Sequence, residues 1–461
     1  MTLHRRRFLR HLAAAPMLAG GTLGLSQRGY GADIGGYRAL VCVFLYGGLD
    51  NNDLLLPADS AYSDFARVRE SLLAEQGEAR APEFLLPLDS LQPTADGSRW
   101  ALPPEMPTTK ALFDSGRAAV VANVGPLIEP VTRRQFLDET VRLPPRLFSH
   151  NDQQATWQAS APEGAQYGWG GLFADAFLRS GASAGAEAFA TITATEVGPF
   201  LTGERAFPYR INPWGASQVY LLGENETLVE GDDSFEQRLL RHLRGDSFSG
   251  SHVIRGDMAT ALGKSLATNA RYNSARGASV TLATPFPDNE LGAQLRAVAD
   301  TIAIRNELGV QRQIFFVGIG GFDTHSAQAT DLPALLGMVD SAAGAFYQAT
   351  EELGIAQDVT LFTASDFGRT LAINGDGTDH GWGGHHLVIG GGVNGGNLLG
   401  TPPPPRIDNP RDAGAGAAIP EFSVEQFAAP LGRWMGLSDA ELDAALPALG
   451  NFDRNVLTLF T

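Results

Sequence analysis

The chain has one cysteine in 461 residues, Cys42, so no disulfide within it can brace the fold. Cys42 lies in the apolar run Ala39-Leu40-Val41-Cys42-Val43-Phe44-Leu45, where it reads as a small, buried and inert hydrophobe. Basic residues are also scarce, 34 against 51 acidic, for a net charge of −17. That balance excludes nucleic acid as an expected partner. It says little about substrate, because net charge mostly reports solubility and a metal centre can bind anions locally. No internal repeat is present. Glycine, at 54, and proline, at 27, are abundant instead, which suits long structured loops and disfavours a helical bundle. With 44% hydrophobic residues the chain can bury a large core, and its length alone would allow two or three domains.

The N terminus reads as an export signal over residues 1–32. His4-Arg5-Arg6-Arg7-Phe8-Leu9-Arg10 has the twin-arginine form, an apolar stretch runs from Leu12 to Leu25, and Tyr30-Gly31-Ala32 offers a small-residue cleavage site. The apolar stretch is too short and too rich in Gly and Ala to span a bilayer, so no stable membrane span is expected after cleavage. The expected location is periplasmic or secreted. Cleavage removes five arginines and no acid, taking the net charge from −17 to about −22.

Continuous apolar runs at Leu40–Tyr46, Ala118–Val124, Ile314–Ile319, Val359–Thr363 and His386–Ile389 read as buried strands. Between them lie two amphipathic stretches with glycine stops. One carries Leu291, Leu295, Val298 and Ile302 and ends at Leu308-Gly309; the other carries Leu332, Leu335, Leu336, Val339 and Phe346 and ends at Leu353-Gly354. This alternation predicts an α/β fold, a three-layer α/β/α sandwich around a mainly parallel sheet, as one domain over 33–461. Residues 203–287 are less regular, with a charged helix-like stretch at Phe235–Leu243, and read as an insertion or cap. Helical stretches at Val424–Met435 and Asp439–Leu446 form a tail expected to pack back on the domain.

In open parallel sheets functional groups collect beyond the carboxyl ends of the strands. Asp50 follows the first strand through Gly47-Gly48-Leu49, Asp323 and His325 follow the third through Gly320-Gly321, and Asp366 follows the fourth. Of nine histidines, three fall within Thr378-Asp379-His380-Gly381-Trp382-Gly383-Gly384-His385-His386. Carboxylates and imidazoles without thiolates are the donors expected for zinc, with manganese, magnesium or calcium as alternatives. Each residue also has a plainer reading. Asp50 and Asp366 are equally placed to cap turns, and His386 opens an apolar run and can be a core histidine, with His385 undecided. Asp323 and His325, two apart, can share one side of an extended backbone. Ser149, leading a helix, reads either as a nucleophile beside unpaired amides or as an N-cap, with Thr156 less favoured. Arg369 can clamp an anionic ester oxygen or be a surface arginine without a role.

These residues resemble a bacterial secreted family known as domain of unknown function 1501, itself similar to the alkaline phosphatase and sulfatase superfamily. The resemblance spans nearly the whole mature chain: the twin-arginine start, Gly47-Gly48-Leu49-Asp50, Ser149-His150, Gly168-Trp169-Gly170-Gly171, Gly320-Gly321-Phe322-Asp323-Thr324-His325, Ser365-Asp366-Phe367-Gly368-Arg369 and Asp379-His380-Gly381. It implies an alkaline-phosphatase-like sandwich with metals at the strand ends. Asp323, His325 and His380 would match one metal set, and Asp50, Ser149 and Asp366 a second. Phe367 stands where the superfamily has a histidine, a place that His150, His385 or water could fill.

The expected function is hydrolysis of phosphate or sulfate esters, with Ser149 and Arg369 catalytic and a small anionic ester or a surface polymer as partner. The alternative is a non-catalytic exported binding protein that keeps the fold with one metal or none.

Overall fold

Five apolar runs become five adjacent strands in a computed structural model that describes residues 35–461, except 182, 214, 217–228, 244–252 and 278–280. They are β1 (Arg38–Leu45), β2 (Ala118–Gly125), β3 (Arg312–Ile319), β4 (Val359–Ser365) and β5 (Gly384–Gly390), in the spatial order β2-β5-β4-β1-β3. Short strands extend this core to a ten-stranded sheet: Leu398–Leu399 and Phe422–Ser423 beside β2, and Thr191–Thr193, Tyr209–Asn212 and Gly215–Ala216 beyond β3. The export signal expected at 1–32 lies outside the described residues. Among those that are described, no helix is long and apolar enough to cross a membrane.

The runs are apolar throughout because both faces of the sheet are covered. Helices α1 (His150–Ala159), α2 (Trp169–Arg179), α3 (Glu290–Ala303), α4 (Gln328–Glu352) and α5 (Val424–Met435) supply the outer layers. Alternate side chains of β1 part between two cores, as strand geometry requires. Val41 and Val43 join Phe315 and Val317 against Leu291, Leu295 and Val298 of α3 and Leu336, Val339 and Phe346 of α4. Leu40, Cys42 and Phe44 join Phe316 and Phe362 against Phe173 and Phe177 of α2 and Phe427 and Leu431 of α5. The fold is thus the expected three-layer α/β/α sandwich. Cys42 is buried, and burial pushes its thiol pKa up, away from reactivity.

The first amphipathic stretch is interrupted. α3 ends at Ala303, and a separate turn, Arg305–Leu308, closes on Gly309 at φ 67°, a left-handed cap that glycine adopts without strain. Within 203–287, Tyr209–Asn212 lengthens the sheet edge and Tyr272 and Ala275 of the helix Val253–Gly277 enter the α3/α4 core. Phe235–Leu243 is a helix with the expected bounds.

The sheet is mainly but not wholly parallel. β5 runs antiparallel to both β4 and β2, with Gly390 opposite Thr360 and Gly384 opposite Val124. Its first residue therefore lies at the rim where its neighbours end. That direction brings the histidine-rich segment before β5 to the functional rim.

Candidate metal centre

Register sets the rim. Leu45 is opposite Ser365 on one side and Ile319 on the other, so the segments leaving β1, β3 and β4 start side by side. Ser365 Oγ ties two of them, donating to the Leu45 carbonyl at 2.6 Å and accepting from the Leu49 amide at 2.8 Å. Gly47 and Gly48 then turn with φ of 112° and 88°. A Cβ on Gly47 would lie 2.4 Å from the Asp323 amide nitrogen, and one on Gly48 2.4 Å from the Phe367 ring. Both positions therefore need glycine, for conformation and for space.

Past this turn a hairpin of Arg369–Asn374 and Gly377–His380 sets His380 opposite Arg369. Three donor atoms converge there. His325 Nε2 lies 2.9 Å from His380 Nε2 and 3.1 Å from Asp323 Oδ1, and His380 Nε2 lies 3.3 Å from the same oxygen. His380 Nδ1 donates to the Phe148 carbonyl at 2.7 Å, which leaves Nε2 as the lone-pair nitrogen of the neutral ring. Burial is the main influence lowering the His380 pKa, so the ring stays neutral more readily than usual. Burial works to raise the Asp323 carboxyl, but the hydrogen bond and charge of Arg369 outweigh it and keep the group ionised.

His150 approaches the same carboxylate from its other oxygen, with Nε2 3.5 Å from Asp323 Oδ2, while its Nδ1 is 2.7 Å from Asp366 Oδ2. The Asp366 hydrogen bond is the main cause raising the His150 pKa. His150, Asp323 and His380 together form a group able to hold a metal ion. Phe367 is buried beside them, its ring centroid 4.9 Å from His150 and 4.6 Å from His380. The imidazole near Asp366 thus comes from α1, and Phe367 packs beneath it.

The donor set fits a divalent cation. Tetrahedral zinc with bonds of about 2.0–2.1 Å needs donor separations of about 3.3 Å, close to those found. Asp366 supplies a second sign: the residue is buried, Oδ2 is bonded to His150 and Gln154, and Oδ1 has no hydrogen-bond partner. A buried, unsatisfied carboxylate oxygen is costly unless a cation or water meets it.

Other expected site residues sit differently. Asp50 does not join the cluster as a ligand: it is fully buried, and both oxygens are engaged by Arg69, at 2.5 and 3.1 Å. Gln328 also donates to it at 2.5 Å, and Oδ1 caps the Asn51–Leu54 turn through the Asn52 amide at 3.0 Å. Arg369 is not poised to clamp a substrate either. It is wholly buried and donates to the Gly47 carbonyl, Asp323 Oδ1 and Thr378 Oγ1 at 2.9–3.0 Å and to the Thr378 carbonyl, so it positions Asp323 from below. Ser149 occupies the N-cap position of α1, yet its side chain caps no amide; Oγ donates to Asp152 Oδ2 at 3.0 Å.

His385 and His386 are core histidines. Nδ1 of His385 accepts from the Asn123 amide at 2.9 Å, and His386 packs against Trp157 and Phe427 with neither nitrogen bonded. Burial pushes their pKa values from 6.5 down to about 4 and about 3, with the His385 charge adding to the shift at His386. In the unfolded chain both protonate near 6.5, so stability is intact above that pH and falls as pH drops from 6.5 toward 4 and 3. His386→Leu is close in volume and is expected to cost under about 1.5 kcal/mol at pH 7.5. It should remove about 2 kcal/mol of the stability loss between pH 6.5 and 5. Denaturant midpoints across that range check this; an unchanged pH slope would contradict it.

The sequence reading named His150 only as one replacement for a missing histidine, and it missed Gln154. Both lie on the first turns of α1, over 200 residues from Asp366. A signal existed: two polar side chains four apart on a helix share a face.

Among solved structures, the chain resembles one titled Ps i-CgsB, at 9% identity and a TM-score of 0.37, over 91% of this chain and 77% of that one. It also resembles the PsFucS1 sulfatase from Pseudoalteromonas sp., at 11% identity and 0.33, over 88% and 68%. A third is the lipoteichoic acid synthase LtaP from Listeria monocytogenes, at 8% and 0.27, over 74% and 59%. Likenesses this distant carry no argument about activity. No curated protein sequence matches the chain. The family model described as "Protein of unknown function (DUF1501)" matches residues 37–445. That span includes the rim turn of Gly47-Gly48, the Ser149-His150 helix start and every donor of the candidate metal site, and the chain belongs to this family.

Proposed function

We propose that the chain is an exported, metal-dependent hydrolase of phosphate or sulfate esters. The observation that carries this reading is the convergence of Asp323 Oδ1, His325 Nε2 and His380 Nε2 within 3.3 Å of one another, beside the unsatisfied Asp366 Oδ1. Asp323, His325 and His380 would hold one divalent ion, zinc first by donor type. Asp366, with His150, is the remaining candidate for a second, while Asp50 is spent on Arg69. A divalent ion bound there supplies Lewis acidity toward the ester oxygens and lowers the pKa of a coordinated hydroxyl.

The chain's own groups supply the rest. Ser149 is the nucleophile in this reading, and Asp152 Oδ2, 3.0 Å from Oγ, is placed to take its proton. The first-turn amides of α1 are left uncapped by the Ser149 side chain, and helix N-terminal amides favour an anionic group. Arg369 holds Asp323 ionised and fixed. The Phe148 carbonyl fixes the His380 tautomer from a backbone at φ 71°, a strained value for a bulky residue.

A second reading, a non-catalytic metal-binding protein, is favoured by one observation: Arg369 is buried and offers substrate no charge. Turnover decides between them. Metal-loaded protein is expected to cleave 4-nitrophenyl phosphate or sulfate, and Ser149→Ala to lower that rate at least about 10³-fold with metal content unchanged. Full metal loading with no turnover of phosphomonoesters, diesters or sulfate esters would favour the binding protein.

A further inference from the structure

A cavity of about 330 Å³ opens beside the site, between one face of α1 and the segments 163–165 and 196–199. Asn151, Gln154 and Gln158 line it, at the spacing that on an ordinary amphipathic helix would carry apolar core residues. Gln154 joins the cavity to the site directly, since its Nε2 donates to Asp366 Oδ2 at 2.7 Å. Tyr46, from the rim turn after β1, closes one side. Among the described lining residues, Glu163 and Glu196 supply the only charges and none is lysine or arginine. Arg146 lies 3.9 Å from Glu163 in an exposed pair, which screens that carboxylate weakly. Glu196 has no ion-pair partner among the described residues.

We infer that this cavity binds the organic part of a singly esterified substrate, that this part is an uncharged polyhydroxyl group, and that a second anionic group is rejected. This rests on the proposed ester hydrolase in placing the ester beside Asp366 and His150. Amide, phenol and carboxylate side chains pair well with hydroxyls, which both donate and accept. A second phosphate or sulfate would face two carboxylates offset only by the exposed Arg146 beside Glu163, with no lysine or arginine among the described lining residues, a like-charge contact that costs binding. The cavity suits a ligand portion of roughly one to two sugar rings by volume.

The test measures binding apart from turnover. Isothermal titration of protein purified without chelator uses the phosphonate analogues of glucose 6-phosphate and glucose 1,6-bisphosphate as probes, since their C–P bonds an ester hydrolase cannot cut, on wild type and on the double variant Glu163→Gln, Glu196→Gln. Both glutamates are exposed, so the double variant keeps its core contacts. Wild type is expected to bind the monophosphonate at least about 10-fold more tightly, and the double variant to narrow that ratio to about 3-fold or less. Equal or tighter binding of the bisphosphonate by wild type, binding of neither probe, or an unchanged ratio in the double variant overturns the inference. Turnover of 4-nitrophenyl esters by the same preparation is scored separately. The probe preference without turnover removes the hydrolase and keeps the cavity's selectivity; turnover without the preference does the reverse.

Discussion

Asp323→Asn is expected to lower affinity for a divalent metal by at least about 100-fold and to abolish ester turnover, while leaving the protein folded. The asparagine keeps an oxygen for the Arg369 hydrogen bond, 3.0 Å in the native protein, so the buried guanidinium is not stranded. What it loses is the charge between His325 and His380 and the carboxylate oxygen that faces His150. Losing a residue that only supports a ligand typically costs 10- to 100-fold in metal affinity, and losing a charged ligand costs more. Competition titration with a chromophoric chelator reads this directly. Affinity within a few-fold of wild type would remove Asp323 from the ligand set.

Arg69→Met is expected to have the largest effect on stability, about 3–5 kcal/mol. Arg69 and Asp50 are both buried, at 2% and 0% side-chain exposure, and their charges meet at 2.5 Å. Burial would raise the Asp50 carboxyl pKa, and the Arg69 charge outweighs it and holds the pKa below the usual carboxylate range. Without Arg69 the carboxylate is a buried charge left with hydrogen bonds from Gln328 and from the backbone and side-chain amides of Asn52, and with no ion-pair partner among the described residues. Breaking one side of such a pair is much costlier than replacing both. Urea unfolding should show a large fall in midpoint, and the double variant Asp50→Leu, Arg69→Met should recover part of it. A loss below about 1 kcal/mol in Arg69→Met would mean that the pair is not structurally important.

Asp50 also shows where reading the sequence stopped. An aspartate just past a buried strand can be a ligand or a cap, and the residue that decides is Arg69, nineteen positions on, whose approach depends on how Tyr62–Val68 and Glu70–Gln76 pack. Arg369 misled for a similar reason. Its place after Asp366 is visible, but its burial follows from the hairpin that folds it beneath Asp323. Strands and covering helices were legible because their apolar periodicity is local and strong. The direction of β5 was not, because a fully buried strand reads alike either way. Asp323, His325 and His380 stood out because the first two lie two positions apart and the third lies in a conspicuous glycine-rich segment. The contact of His150 with Asp366 depends on how α1 docks, which no local pattern encodes.

The most direct test is elemental analysis of the wild-type protein, purified without chelator and compared with His325→Ala and His380→Ala. At least about one divalent ion per chain is expected in the wild type, reduced to a small fraction in both variants while all three keep the same circular dichroism. A folded wild-type protein that carries no metal, and takes up neither zinc nor manganese on titration, would contradict the metal centre and the hydrolase built on it.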